Sequence, residues 1–241
     1  IFGKLGDLFG HKKFFTLGLI ISVGAHALCA SSSSFGWFLV FRVLQGIGIA
    51  MLIGCGPALA TFLFPEKLRG RVLALYTMMF ALGMAIGPAL GGLLVQQWGW
   101  PGVFWFRVPI ALAALLLMIM LPKIDQPKRQ PRLDLAGAAL LIATLSAFIL
   151  ALNQLQQAEI AWLPSGLLFV TALLCLAGFI HAEGRAPEPV LRLAMFQDRG
   201  FSMLQMTNLI INLCGFTLMV IGPHYLVREV GLSVIEAGLV L

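Results

Sequence analysis

Residues 72–95 read VLALYTMMFALGMAIGPALGGLLV, a run of 24 residues without a charged side chain. A helix that crosses the hydrocarbon core of a bilayer needs about 20 consecutive apolar residues, so this run predicts a transmembrane helix. Lipid offers no hydrogen-bond partners to the backbone, and a helix satisfies its backbone groups internally. The run therefore indicates both the environment of the chain and its type of secondary structure.

The composition of the whole chain indicates the same environment. Of its 241 residues, 60% are hydrophobic and 11% are charged, and the mean hydropathy is +0.96. A soluble fold of this length has too little polar surface to cover so much apolar surface. This composition predicts a lipid bilayer as partner. The net charge of +6 comes from short loops without interleaved aromatic residues, so we predict no nucleic-acid partner.

Further apolar runs on both sides of residues 72–95 predict additional spans. They are residues 14–30, 37–64, 104–121, 135–152, 163–181 and 201–221, and another span begins near residue 234. The predicted fold class is an all-α, polytopic transmembrane helical bundle. Because the chain begins without Met and ends inside an apolar run, we interpret it as an internal piece of a longer protein.

The basic residues predict the orientation of these spans. Thirteen lysines and arginines fall in one set of alternate loops, whereas the other set holds only Arg107 and Arg228. Cytoplasmic loops carry the excess of positive charge, so the first set is predicted to be cytoplasmic. One missed span would mix the two sets, and the asymmetry therefore supports the number of predicted helices.

The first motif is GKLGDLFGHKK at residues 3–13, on the cytoplasmic side. Gly3 and Gly10 allow close backbone contact and a tight turn. Asp7 can accept hydrogen bonds from a helix N-terminus or pair with a base, for which Lys12 is a candidate. We predict a latch that holds two helical bundles together; the alternative is a basic loop with ordinary turn glycines.

The second motif is FRVLQGIG at residues 41–48. Arg42 lies about five residues into its predicted helix, or roughly 8 Å deep, where an arginine is costly and usually functional. Gln45 shares its face at i+3. We predict that both residues take part in transport and proton coupling; the alternative is an arginine that snorkels to the headgroups.

The third motif is GMAIGPALGG at residues 83–92. Three of its glycines repeat every four residues, which makes a smooth groove that a neighbouring helix can approach closely. Pro88 removes a backbone hydrogen bond. We predict a bendable helix at a rocking interface that also seals a leak path. The glycines of this motif are Gly83, Gly87, Gly91 and Gly92.

In their order and spacing, these three motifs resemble those of the N-terminal half of the major facilitator superfamily, and the third resembles its antiporter motif. Residues 100–109, WPGVFWFRVP, and the two spans after residue 133 resemble the fourteen-helix drug–proton antiporter branch, of the EmrB/QacA type. The resemblance implies a major facilitator fold truncated at both ends. By this resemblance, residues 1–121 belong to the N-terminal six-helix bundle. Residues 122–200 form a cytoplasmic linker, two extra spans and the following loop. Residues 201–241 are the start of the C-terminal bundle.

The resemblance also implies how the motifs work. Relatives carry the proton-binding carboxylate in a preceding helix that this chain lacks, and Arg42 would be its positive partner. Two positions depart from the family pattern, since relatives usually have a base where this chain has Leu8 and an arginine where it has His11.

Polar residues in two other spans are further candidates. Gln205, Asn208 and Asn212 follow i, i+3, i+7 spacing and are predicted to line a substrate cavity; the alternative is hydrogen bonding between helices. His26 is a lone histidine in the span 14–30, which we interpret as a packing residue, with a proton relay as the alternative.

These observations predict a secondary active transporter that exports drugs or other hydrophobic or cationic compounds against protons by alternating access. The alternative is a metabolite uniporter or symporter of the same superfamily. The predicted partners are a small-molecule substrate and protons, with a periplasmic adaptor protein as a further candidate. The predicted location is the inner (plasma) membrane. Without a catalytic triad, metal-ligand spacing or phosphate-binding loop, the sequence predicts no enzyme, metal or cofactor.

Overall fold

The protein was analysed as a computed structural model that describes residues 2–121, 134–155, 162–232 and residue 236. Within these ranges the regular structure is helical and no strand occurs, which confirms the predicted all-α class. The α-helices are α1 (Phe2–Phe9), α2 (His11–Ala30), α3 (Phe35–Phe62), α4 (Arg69–Met120), α5 (Leu135–Leu155), α6 (Trp162–Glu183) and α7 (Arg199–Arg228). Two short 3₁₀ turns are Glu66–Leu68 and Leu193–Gln197.

The helices from α2 to α7 are long and apolar enough to cross a membrane. Helix α1 has 8 residues. The polar stretch 122–133 and the predicted start of another span near residue 234 lie outside the described residues.

Helix α4 contains two spans. Its 52 residues would extend about 78 Å, whereas a bilayer core is about 30 Å thick. The backbone breaks at Gly99, where φ is 68° and ψ is −176°, a left-handed conformation that glycine adopts without steric cost. The two segments correspond to the predicted spans 72–95 and 104–121. The first prediction ends too early and the second starts too late, because both helical segments continue to the break at Gly99.

Local signals set the starts of the other helices. Gly10 has a φ of 96° and separates α1 from α2 by a single residue. The Ser34 hydroxyl caps α3 by accepting the backbone N–H of Trp37 at 3.4 Å. The Asp134 carboxylate accepts the N–H of Gly137 at 2.8 Å and caps α5 in the same way.

The chain divides into two compact units, and in the first (residues 2–130 and 210–241) α2 packs against α3 and α4. Two apolar clusters connect these helices. One contains Leu19, Leu59 and Met118, and the other contains Cys29, Ala30 and Phe104. The core of this unit therefore joins α2, α3 and the C-terminal segment of α4.

The second unit contains residues 131–209, and its main contact is α5 against α6. Small residues make this contact close, since a Cβ on Gly137 would lie 2.8 Å from Glu183 Oε1. The buried Glu183 carboxylate accepts the backbone N–H groups of Val190 and Leu191, each at 3.1 Å. It thereby orders the chain that follows α6. The three-part division at residues 121 and 200 stays a prediction.

Candidate functional site

The candidate site lies where α2, α3 and the C-terminal segment of α4 meet. Arg42 is seven residues after Phe35, the first residue of α3, which places it about 10 Å along the helix axis. This is deeper than the sequence predicts, because α3 starts two residues earlier than the predicted span. A guanidinium at this depth requires partners within the protein.

Gln45 supplies the first partner. The Nη1 group of Arg42 donates a hydrogen bond to Oε1 of Gln45 at 2.8 Å, as the i+3 spacing predicts. The Gln45 side chain is only 2% exposed, whereas Arg42 keeps an exposed face. The pair therefore has one buried end and one accessible end.

His26 extends the pair to a second helix. Its Nδ1 atom lies 3.1 Å from Nε2 of Gln45, and its side chain is buried. The sequence interpretation as a packing residue is incomplete, because His26 has a specific polar partner on α3. A signal was available: an ionisable residue in an apolar helix is a functional candidate by default.

Two aromatic rings lie beside Arg42. Its Cζ atom lies 6.0 Å from the centroid of the Phe38 ring and 5.8 Å from that of Phe104, distances at which a cation interacts favourably with a ring face. Phe104 comes from α4 and also lies 6.5 Å from the His26 ring, measured between centroids. Arg42 is thus held by groups from two helices.

A cleft of about 450 Å³ opens beside this site, at the end of α2 and the start of α3. Its lining consists of Ser32, Ser33, Ser34, Phe35, Phe38 and Trp100. Phe38 and Trp100 pack edge to face, with centroids 5.4 Å apart. Because Phe38 also contacts Arg42, one ring belongs to both the cleft and the arginine site.

The predicted latch lies at the opposite ends of these helices. Asp7 Oδ1 lies 3.5 Å from Nε2 of His11, and the His11 ring packs edge-on against Phe62 of α3 at 5.4 Å. The position where relatives usually carry arginine is therefore occupied by a base that faces the aspartate. The Lys12 ammonium donates to the backbone carbonyl of Leu121 at the end of α4.

Gly3 and Gly10 have the backbone roles that the motif predicts. A Cβ on Gly3 would lie 3.3 Å from the carbonyl oxygen of Gly54, so α1 and α3 approach closely at this point. Gly10 forms the left-handed turn between α1 and α2. The role of this region as a conformational latch stays a prediction.

The predicted antiporter-like segment lies within the N-terminal part of α4. Added Cβ atoms on Gly83, Gly87 and Gly91 would meet no heavy atom within 4 Å in the described part of the chain. Helical backbone angles continue through Pro88, and Gly92 is half-buried. The groove therefore exists as a smooth face, and its role as a rocking interface stays a prediction.

Gln205, Asn208 and Asn212 lie on α7, in which no residue is buried. All three side chains are exposed, and lining of a substrate cavity stays a prediction. Among the residues that the structure describes, no group of three His, Cys, Asp or Glu side chains could hold a metal ion.

Comparison with known proteins identifies the relatives of this chain. Multidrug resistance protein 3 of Bacillus subtilis (strain 168) is 31% identical over 244 residues, which cover 100% of this chain and 47% of the relative. The tetracenomycin C resistance and export protein of Streptomyces glaucescens is 32% identical, over 98% of this chain and 44% of the relative. The riboflavin transporter RibZ of Clostridioides difficile (strain 630) is 28% identical, over 100% of this chain and 52% of the relative.

The chain thus spans about half the length of the curated relatives it matches. A sequence profile described as Major Facilitator Superfamily matches residues 1–241, the whole chain. This match agrees with the apolar spanning helices and confirms that the protein is an integral membrane protein of a transporter family and not an enzyme. The chain belongs to the Major Facilitator Superfamily.

Proposed function

We propose that the protein is a secondary active transporter that exports drugs or other hydrophobic or cationic compounds in exchange for protons. The environment of Arg42 is the observation that carries this proposal. The guanidinium donates to a neutral amide and lies beside two aromatic rings. In the described ranges, no carboxylate lies within 4.0 Å of it.

An arginine held in this way can act on a proton-binding acid. Gln45 and the rings fix its position without neutralising its charge, and its other face is exposed. A carboxylate that approaches this face gains a charge-assisted partner and loses it when the helices move apart. We propose that this alternation couples proton release to the change in access.

The latch supports alternating access at the other end of the helices. The contact of Asp7 with His11 joins α1 to α2, and the bond from Lys12 to Leu121 joins α2 to the end of α4. His11 is buried, but Asp7 and Lys12 are only half-buried, so water can take the place of their contacts when these break. We propose that this region stabilises one of the two access states.

Two relatives support export of toxic compounds, because their names describe multidrug resistance and tetracenomycin C resistance and export. A metabolite transporter remains the second candidate, and the similarity to a riboflavin transporter favours it. We also propose location in the plasma membrane, while the predicted periplasmic adaptor stays a prediction.

Ethidium accumulation tests the proposal. The intact protein is expressed in pump-deficient cells, and accumulation is measured with and without a protonophore. We expect lower accumulation that the protonophore reverses, loss of this effect in Arg42→Gln, and an unchanged effect in the control Arg228→Gln. If cells that contain the protein in the membrane accumulate as much ethidium as cells without it, the result would contradict multidrug export and favour a narrow-substrate transporter.

A further inference from the structure

The hydrogen bonds that join Arg42, Gln45 and His26 have a fixed direction. A guanidinium has donors and no acceptor, so the Gln45 oxygen must face Arg42, as it does at 2.8 Å. The other end of the amide is then an NH2 group, which only donates, and it lies 3.1 Å from His26 Nδ1. Nδ1 must accept, so His26 in this structure is neutral and carries its proton on Nε2.

A second proton on His26 is incompatible with this arrangement. An imidazolium donates from both nitrogens, so Nδ1–H would face an NH2 group that also donates. Rotation of the Gln45 amide by about 180° would turn its oxygen to His26 but its NH2 group to Arg42, again donor against donor. Protonated His26 and Arg42 therefore compete for the single oxygen of Gln45.

We propose that His26 is a proton-binding site, and that a proton on its Nδ1 atom releases Arg42 from Gln45. Gln45 is only 2% exposed, and its burial makes the loss of either hydrogen bond costly. Bulk water is kept from replacing the lost bond, and an unmade buried hydrogen bond is costly. Gln45 thus transmits the protonation state of a group on α2 to the charge on α3.

The groups around His26 come from three helices. Among the described residues, the charged groups that act on the imidazole are Arg42 on α3 and Arg107 on α4. Both are positive and oppose a second proton on His26, and Cys29 lies three residues further along α2 itself. The proton comes from a hydronium ion in water at the near end of the spans, since His26 is four residues before the end of α2. One N–H bond forms at Nδ1, and it breaks when the proton leaves.

The inference deepens the proposed proton-coupled transport, on which its role in the cycle rests, but the proton site can be tested without transport. We would record histidine and arginine side-chain 15N signals of the intact protein in lipid nanodiscs as the pH is lowered. His26→Asn assigns the His26 signal, because asparagine Oδ1 can replace Nδ1 as acceptor without binding a proton. His224→Asn on α7 is the matched control.

At neutral pH we expect His26 with a bare Nδ1 and a protonated Nε2. As the pH is lowered from about 8 to about 4, we expect Nδ1 to bind a proton while the Arg42 signals shift. The Arg42 shift should disappear in His26→Asn and persist in His224→Asn. A proton on Nδ1 at neutral pH, no titration of His26 in this range, or an Arg42 shift that survives His26→Asn would each overturn the proposal.

Transport gives a second, separable result. The dependence of efflux rate on pH should flatten in His26→Asn and remain in His224→Asn. If no test compound is exported, the NMR result still decides the proton site, and the proposed function fails alone. If proton-coupled export is found but His26 does not titrate, the proton site fails and the proposed function stands.

Discussion

Two glycine-rich helix faces in this chain have opposite environments. On α3, a Cβ on Gly48 would lie 2.6 Å from Ser22 Oγ and 3.1 Å from the Gly18 carbonyl oxygen, so α2 and α3 are in direct contact. On α4, Cβ atoms at the three repeated glycines would meet nothing within 4 Å among the described residues. Small-residue spacing therefore predicts that a helix can be approached closely, but not which helix approaches it.

The difference also separates two proposed roles. The α2–α3 contact contains the buried polar link from His26 through Gln45 to Arg42, which requires neighbours that stay in place. An open glycine face suits a contact that forms in only one state of a transport cycle. We therefore expect mutations in the α2–α3 contact to change folding stability and mutations on the α4 face to change transport.

The largest effect on stability is expected for Gln45→Leu. This change keeps the volume but removes both hydrogen bonds of Gln45. The buried His26 nitrogen left without a partner costs about 1–3 kcal/mol, and the lost bond to the charged Arg42 costs about 1.5–3 kcal/mol more. Thermal unfolding of the purified intact protein, followed by tryptophan fluorescence, should show a clear decrease in the free energy of unfolding. Gln96→Leu, at an exposed position of α4, is the control. An equal loss of stability in this variant would show that the hydrogen bonds of Gln45 do not stabilise the fold.

A smaller loss, about 2 kcal/mol, is expected for Gly48→Ala. The added methyl group collides with Ser22 Oγ and approaches the Gly18 backbone, and overpacking of a close contact typically costs 1–3 kcal/mol. The same unfolding measurement applies. Unchanged stability would mean that α2 and α3 are further apart than this structure shows.

Part of that loss should be recovered in the double variant Ser22→Ala with Gly48→Ala. The buried Ser22 hydroxyl has no hydrogen-bond partner among the described residues, so its removal costs little and makes room for the new methyl group. A double-mutant cycle should give a favourable coupling of about 1 kcal/mol. Strict additivity of the two changes would show that the backbone of Gly18, and not Ser22, limits the approach.

The smallest effect on stability, below about 0.5 kcal/mol, is expected for Gly87→Ala. Gly87→Leu should nevertheless reduce drug efflux, because a bulky side chain would block a close contact that forms during the cycle. Gly166→Leu on α6, also at an open position, is the control for bulk alone. A loss of stability in Gly87→Ala as large as that in Gly48→Ala would show that the α4 face is permanently covered in the intact protein.

Local periodicity made the spans and the Arg42–Gln45 pair predictable. Bilayer thickness sets the length of an apolar run, so the predicted span 135–152 nearly matches α5, and an i+3 spacing brings two side chains together on any helix. The separate spans 72–95 and 104–121 predicted a break between them but not its position at Gly99, although a glycine two residues before Pro101 was a visible signal.

Contacts between helices were not predictable in the same way. His26 is 19 residues before Gln45, and Lys12 is 109 residues before its acceptor, the Leu121 carbonyl. These pairs depend on how each helix is rotated about its axis, which a single sequence does not reveal. The charges of the first motif also directed attention to Lys12 as the base of the latch, whereas His11 is the base that lies 3.5 Å from Asp7.

Proton movement in proteoliposomes tests the central claim, drug–proton antiport, most directly. The intact protein is reconstituted with a pH-sensitive dye inside the vesicles, and ethidium is added under an imposed proton gradient. We predict that ethidium movement is accompanied by proton movement in the opposite direction, and that Arg42→Gln abolishes both while Arg228→Gln preserves both. Ethidium transport without any change in internal pH, or with full proton coupling in Arg42→Gln, would contradict this account.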